Sequence, residues 1–310
     1  MPGPLESPDV LVLGAGGILG EAWMSAVLAG ISETTEFDPR ECRSFVGTSA
    51  GSIVAAMLCA GMDPRESLGR MPEQPPAEAG GADGGRDPLA SLFRVGTSVG
   101  RAATAAVASA LLRGVTPGGG LVRRAALARI PRGRRSLADL GRGIDGSAVE
   151  WDGRLRVTAV ELETGRRVIF DGSGPPALTV GEAVQASCAV PGLFRPLEAD
   201  GRTYVDGGAW SLTNLDVADV SRGSRILCLN PTGGTHGDRL GPLAAVRALS
   251  RSAAGLEAAA VRRRGARVMI VAPDADAARA LGSNFMDGSN RSGVHAAGLA
   301  QGRRLGRNQR

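Results

Sequence analysis

Lysine is absent from this 310-residue chain, so all 36 basic residues are arginine. Aromatic residues make up 3% of it, and the only histidines are His236 and His295. Each shortage excludes something. With few aromatics the core rests on Ala, Val, Leu and Ile, and a basic stripe interleaved with stacking residues is missing, so nucleic acid is not an expected partner. Cys42, Cys59, Cys188 and Cys228 are widely spaced and form no CxxC pair. They fit reduced, buried thiols rather than a disulfide framework or a zinc site. Nothing suggests a metal or any other cofactor, because the carboxylates are dispersed and no His/Cys cluster exists. The start, MPGPLESPDV, lacks the basic and apolar segments of a signal peptide. No run reaches the ~20 apolar residues of a membrane span. A cytoplasmic protein is expected, and its net charge of +5 favours an anionic partner such as a membrane surface.

A hydrophobic content of 43% and this length suit a single α/β domain over 1–310. Val10–Leu13 reads as a buried strand, followed by the glycine turn GAGGILG and a helix. A second such unit follows, with strand Ser44–Val46, the turn GTSAG and helix Ala50–Ala60, which stops before Gly61 and Pro64. The Pro/Gly/Ala-rich stretch 72–88, an Ala-rich helix at Leu89–Arg113 and a short helix at Leu121–Ile130 make 72–142 a helical insertion or cap. A hairpin is expected from 154–162 and 166–170, then a helix Val180–Val190. Strands follow at TYVDGG, 226–230 and 267–273, with a helix between the last two and a basic helix near His295–Arg304. Alternating strands and helices predict a mostly parallel central sheet flanked by helices.

Three motifs carry chemistry. In GTSAG, Gly47 and Gly51 allow a sharp strand-to-helix turn that exposes the Ser49 hydroxyl, with the N-terminus of a helix directly behind it. A chance match in a chain with 46 glycines is the bland alternative. In GAGGILG the bare N–H groups of Gly16 and Gly17 suit an oxyanion hole. The competing use is dinucleotide binding, which wants glycine where Leu19 stands and a ribose-binding acid near Glu33 or Glu36. In YVDGGAW, Asp206 ends an apolar strand and is followed by Gly207 and Gly208, which reads either as an approachable carboxylate or as a hairpin turn. A Ser-acid-His order is available through Ser49, Asp206 and His236 or His295, but both histidines sit in polar surroundings and are expected to be exposed. The base for Ser49 is then something other than histidine.

GAGGILG after the first strand, GTSAG about thirty residues later, ASCAVPGLFRP, and DGG two-thirds along the chain together resemble the patatin-like phospholipase family, with motifs over roughly residues 9–230. The resemblance implies a three-layer α/β fold and a serine lipid acyl hydrolase that uses a Ser-Asp dyad without histidine. It assigns Ser49 as nucleophile, Asp206 as base, and the N–H groups of Gly16, Gly17 and Ala50 as oxyanion donors. Gly14, Gly20, Gly47, Gly51, Gly207 and Gly208 support the motifs. The family's glycine turn usually carries Arg or Lys where this chain has Leu19, and often glycine where it has Ala15. A lipid or ester substrate is expected, with peripheral membrane contact through Arg94, Arg101, Arg113 and the tail RRLGRNQR, or else a solvated basic face there. A non-catalytic lipid-binding protein and a nucleotide-binding α/β protein are the alternative readings.

Overall fold

Val10, Leu11, Val12 and Leu13 are all fully buried, and a strand with no polar residue needs cover on both faces. The computed structural model describes residues 7–65, 119–234 and 242–308, and it supplies that cover. The elements run β1 (Val10–Leu13), α1 (Gly17–Ser32), β2 (Ser44–Thr48), α2 (Ala50–Cys59), α3 (Gly119–Leu127), α4 (Ala138–Asp145), β3 (Leu155–Glu161) and β4 (Arg166–Phe170). They continue with α5 (Val180–Ser187), β5 (Leu197–Ala199), β6 (Arg202–Asp206), β7 (Arg225–Leu229), α6 (Pro242–Arg263), β8 (Arg267–Val271), α7 (Ala275–Leu281) and α8 (Arg291–Arg307).

The strands form one eight-stranded sheet in the order β5-β6-β3-β2-β1-β7-β8, with β4 added on β3. β3, β2, β1, β7 and β8 are parallel, as the alternating pattern predicts. β4 and β6 pair antiparallel with β3, and β5 with β6, so the sheet is mixed. Alternation along β1 sorts the layers. Leu11 and Leu13 join a large core with Trp23, Ile53, Ala183 and Val294, drawn from α1, α2, α5 and α8. Val10 and Val12 join the opposite core with Cys228, Ala258 and Val261, under α6. The result is three layers, helices on both faces of the sheet.

α8 lies on α1 because glycine lets it. Gly298, Gly302 and Gly306 recur every fourth residue and share one helix face. A Cβ on Gly302 would strike the Val27 carbonyl, one on Gly306 the Thr34 hydroxyl, and one on Gly30 of α1 the Leu299 carbonyl. The contact is fixed at its edges by Trp23 Nε1 donating to Gln301 Oε1 at 3.0 Å and by the buried Arg291–Glu21 ion pair at 2.6 Å.

Several expectations change here. α8 begins at Arg291, and its packing leaves His295 half-buried, with burial and nearby Arg291 lowering its pKa, where an exposed histidine was expected. Two tail arginines are engaged in ion pairs, Arg303 with Glu33 at 2.6 Å and Arg304 with Asp274. The helix expected over Val180–Val190 ends at Ser187, since Val190 precedes Pro191 and that position disfavours helical dihedrals. α4 and α7 were not anticipated. Of the expected 72–142 insertion, the described part carries α3 and the start of α4. The 72–88 stretch, the Leu89–Arg113 helix, Arg94, Arg101, Arg113 and His236 lie outside the described residues.

The glycine stripe predicts an asymmetry measurable by denaturant unfolding. Gly302→Ala is expected to cost about 2–4 kcal/mol through forced separation of α8 from α1. Gly255→Ala, in α6 with nothing near its added Cβ, is expected to gain about 0.5–1 kcal/mol from helix propensity. Equal stabilities for Gly302→Ala and wild type would show that the two helices are not in this contact.

Candidate active site

β2 and β6 share one edge of β3. β4 pairs with Val157–Glu161 and so overlaps both the β2 partners, Leu155–Thr158, and the β6 partners, Ala159–Glu161. It must therefore hold the opposite edge. β2 runs parallel to β3 and β6 antiparallel, so the two strands head toward each other and stop at adjacent positions. Thr48 is opposite Thr158 and Asp206 opposite Ala159. The residue after Thr48 is Ser49.

Ser49 leaves β2 at φ +52°, ψ −123° and α2 starts at the next residue. That backbone is uncommon for a residue with a side chain and costs about 1–3 kcal/mol. Both glycines flanking it are required by close backbone contacts. A Cβ on Gly51 would collide with the Leu13 carbonyl of β1, and one on Gly47 with the Ser52 backbone. The turn is held by Ser49 N–H donating to Ser187 Oγ at 2.8 Å and by Ser52 N–H and Oγ donating to the Ser49 carbonyl at 2.8 and 2.6 Å.

Asp206 is 3% exposed and Ser49 7%. The carboxylate accepts the Gly208 N–H at 2.7 Å, and the neighbouring Ser49 side chain lowers its pKa. Burial pushes its pKa up to about 7, against the downward pull of the Ser49 side chain and the Gly208 N–H. Gly207–Ala209 turn as a short 3-10 segment, so Asp-Gly-Gly is not the hairpin turn that it also resembled. A Cβ on Gly207 would fall 2.6 Å from Thr158 Oγ1, and one on Gly208 2.9 Å from Asp206 Oδ1. The Cys188 thiol also faces this carboxylate, and burial raises its pKa strongly, which keeps it protonated.

The glycine turn closes over the same ends of the strands. Gly14 N–H donates to Leu229 O at 3.0 Å and Ala15 N–H to Leu212 O at 2.7 Å, which ties the turn to the chain just beyond Asp206. Gly17 takes φ +58°, and a Cβ there would sit 2.7 Å from Phe285 O. Gly16 and Gly20 pass close to Pro231, where Cβ atoms would come within 2.7 and 3.1 Å of its ring. α1 and α2 thus both present N-terminal ends, with the N–H groups of Gly16, Gly17 and Ala50 at positions that take no intrahelical partner. Leu19, where a cation was the family norm, is buried and hands its N–H to Phe285 O at 3.0 Å.

Glu33, the suggested ribose ligand, lies just past the far end of α1, ~24 Å along a helix of this length from the glycine turn. It is ion-paired with Arg303. His295 is on the α1–α8 face and is not among the groups acting on Asp206. Sequence reasoning missed Ser187, Thr48, Thr158 and Asn214. Ser187 stands inside the ASCAVPG motif, and an asparagine shortly after DGG was the available sign of Asn214.

The family model for patatin-like phospholipases matches residues 11–219. The chain belongs to that family, and its class is that of hydrolases acting on the ester bonds of lipids. Among solved structures it is similar to VipD from Legionella pneumophila, at 14% identity and TM-score 0.47 over 99% of this chain and 68% of VipD. It is also similar to the type III effector ExoU, at 16% identity and TM-score 0.40 over 99% of this chain and 54% of ExoU. A third similar structure is full-length ExoU from Pseudomonas aeruginosa in complex with SpcU, at 17% identity and TM-score 0.39 over 96% of this chain and 53% of that one. The chain spans about half the length of ExoU. Family membership rests on the sequence model. Among the described residues no helix is long and apolar enough to cross a membrane.

The buried carboxyl makes a signed prediction. A carboxyl whose pKa rises on folding stabilises the fold fully below its unfolded value near 3.8, and that contribution is lost as pH climbs through about 7. Asp206→Asn removes the ionisable group, so it should be more stable than wild type at pH 8, by at most about 4 kcal/mol. The advantage should shrink toward pH 5. Thermal unfolding of both proteins across that range checks it, and a pH-independent difference would refute the assignment.

Proposed function

We propose that this chain cleaves carboxylic esters of lipids through a Ser49–Asp206 dyad. The observation that carries the reading is the strand junction that sets Ser49 beside a buried carboxylate, whose pKa burial raises to about 7. A base works best when its pKa lies near the operating pH, and an ordinary aspartate is too weak. Ionised Asp206 takes the hydroxyl proton as Ser49 Oγ bonds to the acyl carbon. The carbonyl oxygen becomes an oxyanion, which receives N–H groups from Gly16, Gly17 and Ala50. Collapse breaks the ester C–O bond, and Asp206 returns the proton to the departing alcohol. Water then repeats the sequence on the acyl-serine and restores both residues. Gly14, Gly20, Gly47, Gly51, Gly207 and Gly208 keep side chains out of the space where these loops converge. No metal or cofactor enters these steps. Contact with the substrate's membrane is peripheral in this reading.

Hydrolysis of a medium-chain p-nitrophenyl ester tests it. Ser49→Ala and Asp206→Asn should each lower kcat by roughly a thousandfold or more. A His236→Ala/His295→Ala double variant should stay within about threefold of wild type, since neither imidazole is assigned a proton to carry. Wild-type kcat/KM should rise through about pH 7 as Asp206 ionises. A Ser49→Ala protein as active as wild type would reject the dyad. Inactivity of the wild type on both esters and phospholipid vesicles would leave a lipid-binding protein.

A further inference from the structure

Asn214 is completely buried, in a left-handed backbone conformation at φ +50°, ψ +34° that asparagine tolerates better than most residues. Its Nδ2 donates to Thr48 Oγ1 at 3.0 Å, Thr158 Oγ1 at 3.2 Å and the Ser211 carbonyl at 2.7 Å, with the Gly207 carbonyl at 3.5 Å. Thr48 immediately precedes Ser49, and Gly207 immediately follows Asp206. Thr158 is the β3 residue at the junction between the two strands. One amide thus reaches the chain on both sides of the gap that brings the dyad together.

The direction of this amide is fixed from outside. Arg167 Nη1 donates to Asn214 Oδ1 at 3.0 Å, and a guanidinium cannot accept, so the amide oxygen must face it and the NH₂ must face the threonines. Arg167 is itself clamped by two 2.7 Å hydrogen bonds to Asp216. Thr48 and Thr158 hydroxyls lie 2.9 Å apart, and Thr158 also donates to the Gly47 carbonyl at 3.3 Å. Thr48, Thr158 and Asn214 are all 0% exposed, so water does not take over a lost bond.

On the dyad reading above, we propose that Asn214 is a positioning residue, locked in orientation by Arg167, that holds the end of β2 and the start of the Asp206 turn at the spacing required for Ser49 to reach Asp206. It touches neither substrate nor the reacting atoms. Its effect falls on kcat rather than on KM. Its loss also loosens the approach of the Ser49 side chain that lowers the Asp206 pKa, so the acid limb of the rate profile moves to higher pH. Among the described residues, the titratable group facing Asp206 is Cys188, which burial keeps protonated, so that limb reports the dyad contact.

The test compares wild type, Asn214→Gly, Arg167→Met and Ser49→Ala on a soluble p-nitrophenyl ester, with circular dichroism and thermal unfolding of each. Asn214→Gly keeps the left-handed backbone and removes the amide. It is expected to lower kcat about 10- to 100-fold with KM within about threefold, and to shift the acid limb upward by about half a pH unit or more. Arg167→Met, which leaves Asn214 in place but frees its amide, should move kcat and the limb in the same direction by a smaller factor, about 3- to 10-fold in kcat. Folded variants with kcat within twofold of wild type and an unmoved limb overturn the proposal. So does a fall in Tm alone, which marks a merely structural residue. If Asn214→Gly does not fold, Arg167→Met decides by the same two readouts. Ser49→Ala as active as wild type instead rejects the dyad reading itself, a result that these variants do not mimic.

Discussion

Two strands meet head-on along one edge of β3, and the rest of the site depends on that collision. Neither β2 nor β6 can continue, because each ends where the other ends, at the adjacent positions Thr158 and Ala159 of β3. Both chains must turn out of the sheet at the same place, one through the strained Ser49 corner and the other through the 3-10 segment after Asp206. The hydroxyl and the carboxylate are brought together by backbone topology, with the sheet's hydrogen bonds setting the register. Side-chain interactions then adjust what the strands have already aligned. The same geometry buries the carboxylate, because the interior end of a sheet strand leaves it little water.

Glycine is the material that makes the convergence possible. The loops after β1, β2, β6 and β7 meet within a few ångströms of one another. Gly14 lies against Leu212, Gly16 and Gly20 against Pro231, Gly51 against Leu13, and Gly207 against Thr158. A side chain at any of these points would push one loop off another. The N-terminal ends of α1 and α2 are drawn to one spot as a result, and their positive dipole ends add there. A buried leucine at position 19 is compatible with this arrangement, since the positive field comes from backbone N–H groups.

The elements legible in the sequence were those built from continuous local pattern. β1, β2, β7 and β8 are apolar runs between turn residues, and Gly-x-Ser-x-Gly and Asp-Gly-Gly are contiguous, so Ser49 and Asp206 stood out. α4 and α7 were not legible because seven or eight residues barely establish a helical period. Asn214 and Ser187 were hidden for a different reason. Their partners are 166 and 138 residues away, and nothing local to either residue announces a bond to the serine turn. The half-burial of His295 follows from a glycine stripe on its own helix, which was visible as composition but acquires meaning only once α1 is laid beside it. The junction of β2 and β6 depends on three strands pairing with β3, a property of register that no single segment carries.

The charge balance of the proposed reaction leaves no step that calls for a histidine. A serine with an imidazole base starts neutral and creates an ion pair, so its site must hold a new positive charge as well as the oxyanion. A serine with a carboxylate base starts with one negative charge and moves it, from Asp206 to the carbonyl oxygen. No imidazolium forms, and no third residue is required to stabilise one. What the site needs is a positive potential that favours the charge at its destination, and fixed N–H groups at two helix starts supply it without reorganising. What it also needs is a carboxylate basic enough to accept the proton. Burial provides that by the same desolvation that makes the ionised state costly to the fold. In the proposed reaction the base is therefore effective because it is held where its charge is unstable. The strand junction is what holds it there.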